Sequence, residues 1–147
     1  MRGIAKLILF ISLIFSQGFL HVENGEIVEG SGDPILLKGF GLGGWLVPEG
    51  YMLNNLGYIE GFESPTEIEN HIEDLIGSEL AEEFWDLYRS NYVNKSDIDQ
   101  LAEWGMNHIR VPFHYKQFSE ESGIINPLGY EIVDSLISWC EPYNMYI

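Results

Sequence analysis

Apolar and polar positions along this chain change period several times, and each change marks an element. Leu7 to Phe15 is a nearly continuous apolar run. Between Val22 and Leu37, short apolar groups flank Glu23-Asn24-Gly25-Glu26 and Gly32-Asp33-Pro34. Asn-Gly between strand-like residues predicts a tight hairpin, with a further strand near Ile35–Gly41. Ser64-Pro65-Thr66-Glu67 supplies a cap, a first-turn proline and an acid at the third position, so a helix starts there, with Ile68, Ile72 and Ile76 in line. A second helix opens at Ser78 and sets Leu80, Phe84 and Leu87 on one face, with Glu79, Glu82, Glu83 and Asp86 as a solvated one. Ser96 with Asp99 reads as a capping box for a third helix over Asp97–Gly105, whose buried stripe is Ile98, Leu101 and Ala102. Gly105 stops it, since a helix end favours a residue free to take positive φ.

Met106 to Val111 then alternates as a strand, with Ile109 and Val111 on one face and His108 and Arg110 on the other. Pro112 ends its hydrogen-bonding capacity. Asn126-Pro127 opens a last helix with Ile132, Leu136 and Cys140 aligned and Pro142 beyond its end. Asn144–Ile147 reads as the opening of another strand. Strand, helix, strand, helix, strand is the rhythm of a parallel α/β sheet. Arg110, a cation at the exit of an otherwise apolar strand, suits the border of a polar site; the alternative is a surface salt bridge.

Two stretches carry a resemblance. Asn107-His108-Ile109-Arg110-Val111-Pro112 resembles the second-strand signature of glycoside hydrolase family 5. Lys38-Gly39-Phe40-Gly41-Leu42-Gly43-Gly44-Trp45-Leu46-Val47-Pro48-Glu49 is similar to the first strand and following loop of that family's exo-glucanase-like branch, although Leu42 stands where Asn is usual. The resemblance covers roughly residues 22 to 147 and implies a (β/α)8 TIM barrel, of which this chain would hold the N-terminal hairpin and about two and a half β/α units. A complete barrel takes about 200 to 250 residues or more, against 147 here. The expectation is therefore the N-terminal part of a secreted retaining glycoside hydrolase acting on a β-glucan or related polysaccharide. The alternative is a non-catalytic carbohydrate-binding barrel.

Retaining glycosidases use two carboxylates about 5 Å apart. The resemblance puts both, as glutamates, after the fourth and seventh strands, beyond Ile147, so no catalytic pair is nominated among these residues. By the same resemblance Arg110 matches the arginine that holds the nucleophilic carboxylate, and Glu49 matches a glutamate bonded to hydroxyls of the innermost sugar. Trp45 is a candidate to stack on a sugar face, or else buried packing. His114, past the strand exit, is a candidate substrate contact, or else a hydrogen-bonded structural histidine. The family implies no cofactor and no metal, and His108 and His114, six residues apart, have no metal-site spacing of their own. Gly41, Gly43 and Gly44 lack the Lys-Ser/Thr sequel of a phosphate loop; they let backbone pass close to a ligand or a neighbouring strand.

Composition narrows the partners. The formal charge is −16, which repels nucleic acid and anionic lipid and suits an uncharged substrate. Arg2 and Lys6 ahead of the apolar run, with Ser16-Gln17-Gly18 after it, read as a secretory signal over residues 1–18. Its nine apolar-run residues are too few for a bilayer core that needs about twenty. That leaves residues 19–147 as an exported domain, extracellular or periplasmic, with no stable membrane insertion once the signal is removed; an uncleaved anchor is the alternative. Cys140 is the one cysteine, so no disulfide forms within the chain, and it reads as a small buried hydrophobe.

Overall fold

In the computed structural model the described residues are 18–53, 64–119 and 123–147. The expected signal therefore lies outside them, apart from Gly18. The chain divides into two compact units, the first ending at Leu36 and the second spanning Leu37–Ile147.

In the first unit, β1 (His21–Glu23) and β2 (Glu26–Val28) pair antiparallel, with Glu23 opposite Glu26. The turn residues Asn24 and Gly25 have φ of 51° and 86°, the double positive φ that a two-residue hairpin requires and that Asn-Gly accommodates. Ile35 donates its N–H to the Ile27 carbonyl at 3.0 Å, and Val28 bridges Pro34. Ile35 thus extends the hairpin, and the strand expected from Ile35 is shorter than its apolar pattern.

That strand, β3, covers only Gly39–Gly41 and opens the pairing in the second unit. It runs parallel to β4 (His108–Arg110), with Gly39, Phe40 and Gly41 opposite His108, Ile109 and Arg110. Asn107 fixes the register twice: its N–H reaches the Lys38 carbonyl at 2.9 Å, and its Oδ1 accepts the Lys38 N–H at 2.8 Å. On the far side of β4, Ile109 donates to Tyr146 (2.8 Å) and Tyr146 to Asn107 (2.9 Å), a parallel bridge where the last strand was expected.

Between β3 and β4 lie α1 (Gly50–Leu53), α2 (Pro65–Ile76), α3 (Ser78–Tyr92) and α4 (Lys95–Glu103); α5 (Pro127–Cys140) follows β4. Ser64 and Glu67 form the expected capping box on α2, and Asn126 caps α5. The cap of α4 differs from the sequence reading. Asn94 is the N-cap and Asp97 answers its N–H at 2.8 Å, because Asn94 is the residue that keeps extended backbone. Asp99, expected in the box, instead accepts from Lys95 at 2.5 Å and from the Tyr143 hydroxyl at 2.8 Å. Gly105, at φ 76°, ends α4 as read.

Period-two alternation sends Ile109 to the helical side, where it is fully buried with Ile98, Leu101, Leu136, Cys140 and Met145. Burying a side chain of that size contributes about 1.5–3 kcal/mol. Met106 and Val111 pack partly buried against the same cluster. The apolar face read for α3 is rotated: Leu80, Phe84 and Leu87 are exposed, while Ala81 is buried and Trp85 and Tyr88 are half-buried. The buried residues recur at helical spacing one step along from the expected ones. They include a tyrosine that covers backbone and bonds to it at once. The four acids of α3 are exposed, as read.

Candidate functional site

The carboxyl ends of β3 and β4 lie at the same edge of the sheet because the strands are parallel. Pairing continues past them: Leu42 donates to the Arg110 carbonyl at 2.9 Å, and Leu46 bridges Phe113 in parallel sense. The two outgoing loops are therefore zipped together. One carries Glu49; the other leaves from Arg110, the last residue of β4, and carries His114.

Arg110 is exposed at the exit of β4. The ion pairs among the described residues are Arg89–Asp86 and Lys95–Asp99, and neither involves it, so the surface salt bridge offered as its alternative is not formed with them. His108, opposite Gly39, is half-buried and leans over that glycine. Glu49 is half-buried; its carbonyl accepts from Met52 (2.9 Å) and Leu53 (3.2 Å) and so starts α1. Its carboxylate lies over Gly43, 3.4 Å from where a Cβ would stand. No hydrogen bond or ion pair joins Glu49 to Arg110 among the described residues.

For Trp45 the packing alternative holds. It is 2% exposed, within the cluster of Leu42, Leu46 and Val93, and its Nε1–H is spent on the Arg89 carbonyl at 2.8 Å. A ring covered in this way has no face left for a sugar. His114 does structural work: its Nδ1 accepts the Lys116 N–H at 3.4 Å and caps the short turn of 3-10 helix Tyr115–Gln117. Leu42, standing where the similar stretch usually has Asn, is a buried core residue.

Two residues that the sequence reading passed over complete the neighbourhood. Tyr88 donates its hydroxyl to the Gly44 carbonyl at 2.7 Å, and the Tyr92 ring lies tilted beside it with ring centroids 4.9 Å apart. Burial, followed by the neighbouring Tyr92, pushes the Tyr88 hydroxyl well above the usual tyrosine range, so it stays protonated and remains a donor. The available signal was Trp85, Tyr88 and Tyr92 at helical spacing on α3.

These observations define a parallel α/β protein whose polar groups gather on loops at the carboxyl ends of adjacent strands, where sheets of this kind hold their ligands. Comparison with known sequences makes that class specific. The profile of Cellulase (glycosyl hydrolase family 5) matches residues 65–147. A beta-xylosidase of Phanerodontia chrysosporium is 30% identical over 132 residues, 88% of this chain and 26% of that protein. A glucan 1,3-beta-glucosidase of Pichia angusta is 29% identical over 110 residues, 74% of this chain and 25% of that one. Cellodextrinase A of Ruminococcus flavefaciens is 33% identical over 55 residues, 37% and 16% of the two chains. The chain belongs to glycoside hydrolase family 5. It spans about a quarter of the length of the first two of these relatives.

Proposed function

We propose that residues 37–147 form the opening of a (β/α)8 barrel, and that the protein carrying them is an exported, retaining glycosidase. Its substrate is an uncharged β-glucan or related polysaccharide. The observation that carries this is the zipped pair of loops, with Glu49 after β3 and Arg110 at the exit of β4, on one edge of a parallel sheet. The names of the relatives support the reaction class: beta-xylosidase, glucan 1,3-beta-glucosidase and cellodextrinase all split bonds between sugars. Arg110, exposed and free of an ion pair with the described residues, is available to a carboxylate supplied from elsewhere in the barrel. A fixed cation beside that group would keep it ionised and oriented. Glu49 would accept hydrogen bonds from sugar hydroxyls. Among the described residues no helix is long and apolar enough to cross a membrane, and the order of charge, apolar run and small residues in 1–18 supports export with a mature start near Phe19.

The test is release of reducing sugar from β-1,3-glucan, β-1,4-glucan and xylan by the full-length protein. Arg110→Ala should lower kcat by the equivalent of about 2–4 kcal/mol, the scale of one lost charge-stabilising donor, with the melting temperature little changed. Wild-type turnover in a folded Arg110→Ala protein would reduce Arg110 to a structural cation. Binding of glucan without hydrolysis by the intact protein would point to a carbohydrate-binding barrel instead.

A further inference from the structure

The loop that carries Glu49 has little regular structure of its own. From Leu42 to Pro48 no residue lies in a helix or strand, and Gly44 has φ 77°. What holds it is α3. Two hydrogen bonds cross in opposite directions one residue apart: Tyr88 Oη–H to the Gly44 carbonyl at 2.7 Å, and Trp45 Nε1–H to the Arg89 carbonyl at 2.8 Å. The Tyr92 ring lies against the same glycine, so that a Cβ on Gly44 would stand 2.8 Å from the Tyr92 hydroxyl. Met52 and the Glu49 carboxylate close over the neighbouring Gly43, and Met52 Sδ also reaches the Gly44 position beside Tyr92. The backbone from Gly43 to Trp45 is therefore held by α3 and touched by the segment that presents Glu49.

We propose that Tyr88 is a positioning residue for Glu49, holding the sugar-facing loop in place through the Gly44 carbonyl. The helices between β3 and α4 are then a brace for the substrate site rather than a surface ornament. The proposal rests on the sugar-binding reading of Glu49 given above. Tyr88 touches no substrate; it acts through four residues of backbone. Tyr88→Phe keeps the ring beside Tyr92 and deletes the hydroxyl, with its bond to the Gly44 carbonyl and its interaction with the Tyr92 hydroxyl. The Gly44 carbonyl is then left without that partner and the loop is free to relax. Such a loss is worth about a five- to tenfold change in an equilibrium.

The experiment is a double-mutant cycle in the full-length protein, with Tyr88→Phe, Glu49→Gln and the pair assayed on the preferred glucan alongside thermal melts. Tyr88→Phe is expected to lower kcat/KM about five- to tenfold, mainly through KM if Glu49 holds the ground-state sugar. On the Glu49→Gln background it should cost less than about twofold, because the group being positioned is already disabled. An equal loss in both backgrounds, or no loss in either, overturns the proposal and leaves Tyr88 as ordinary packing. Should Tyr88→Phe fail to fold, Trp45→Phe, which removes the other crossing hydrogen bond, is put through the same cycle and read the same way. Glu49→Gln with unchanged activity would refute the sugar-binding reading itself, a separate result from any additivity in the cycle, and Tyr88 would then have nothing to position.

Discussion

Gly39→Ala tests whether the β3–β4 pair is held as described. Gly39 lies in register with His108, and a methyl built on it would come within 2.6 Å of the His108 carbonyl oxygen and 2.9 Å of its ring carbon Cγ. The ring can swing aside; the carbonyl belongs to a strand pinned on both flanks, by Leu42 to Arg110 at 2.9 Å and by Ile109 to Tyr146 at 2.8 Å. Contact at 3.4 Å or more is ordinary, so the strands must part by about 0.8 Å, at a cost of about 1–3 kcal/mol typical of overpacking. Gly41→Ala is the control, since a methyl there meets nothing within 4 Å. Urea unfolding and hydrogen exchange over residues 38–43 would read both variants, and Gly39→Ala alone should lose stability and amide protection. Equal behaviour of the two substitutions, or a Gly39→Ala protein within 0.5 kcal/mol of wild type, would show that His108 does not lie over Gly39.

Two further outcomes follow from titrating groups. The Asp99 carboxyl is held below its usual range by hydrogen bonds from Lys95 and then Tyr143, so its contribution is present above the ordinary carboxylate pKa and fades as pH falls through the lowered value. Asp99→Asn should therefore be slightly less stable than wild type at neutral pH and indistinguishable from it near pH 2, by parallel melts; a difference that grows on acidification would contradict the pairing. Burial pushes the Cys140 thiol up to about 11 and leaves it 1% exposed. Reaction with a thiol-specific disulfide reagent at pH 8 should be slow in the native protein and fast in denaturant, and rapid labelling of the native protein would place Cys140 outside the core.

Much of the architecture was legible because it depends on local chemistry. Asn24-Gly25 can hardly do other than turn a hairpin. Ser64 with Glu67, and Asn126 before Pro127, announce helix starts through groups only two or three residues apart. Alternation sets Ile109 and Arg110 on opposite faces of β4, and in the structure Ile109 is buried on the helical side while Arg110 is exposed. The cap of α4 was misread because Asn94-Lys95-Ser96-Asp97-Ile98-Asp99 offers two overlapping boxes, and which residue keeps extended backbone is not written in the spacing. The buried face of α3 was misread because its partner is the Gly43–Leu46 loop. Leu80, Phe84 and Leu87 look more apolar than Tyr88, yet of these only Tyr88 answers that backbone, donating to the Gly44 carbonyl. Trp45 could not be told from a sugar platform until its N–H found Arg89, 44 positions away.

That distance has a consequence for how the chain comes to be folded. The hairpin at residues 21–28 can close as soon as it is made. The glycine-rich stretch after β3 cannot: it waits for Tyr88 and Arg89, both 44 residues downstream of their partners, and β3 waits for Asn107, 69 residues beyond Lys38. Closing a loop of that length costs about 3 kcal/mol before any contact repays it. During synthesis, Phe40 to Pro48 is thus an apolar, glycine-loosened ribbon whose hydrogen-bond partners on α3 and β4 have yet to emerge. N-terminus-first emergence therefore exposes this segment before Tyr88, Arg89 and Asn107 exist to hold it.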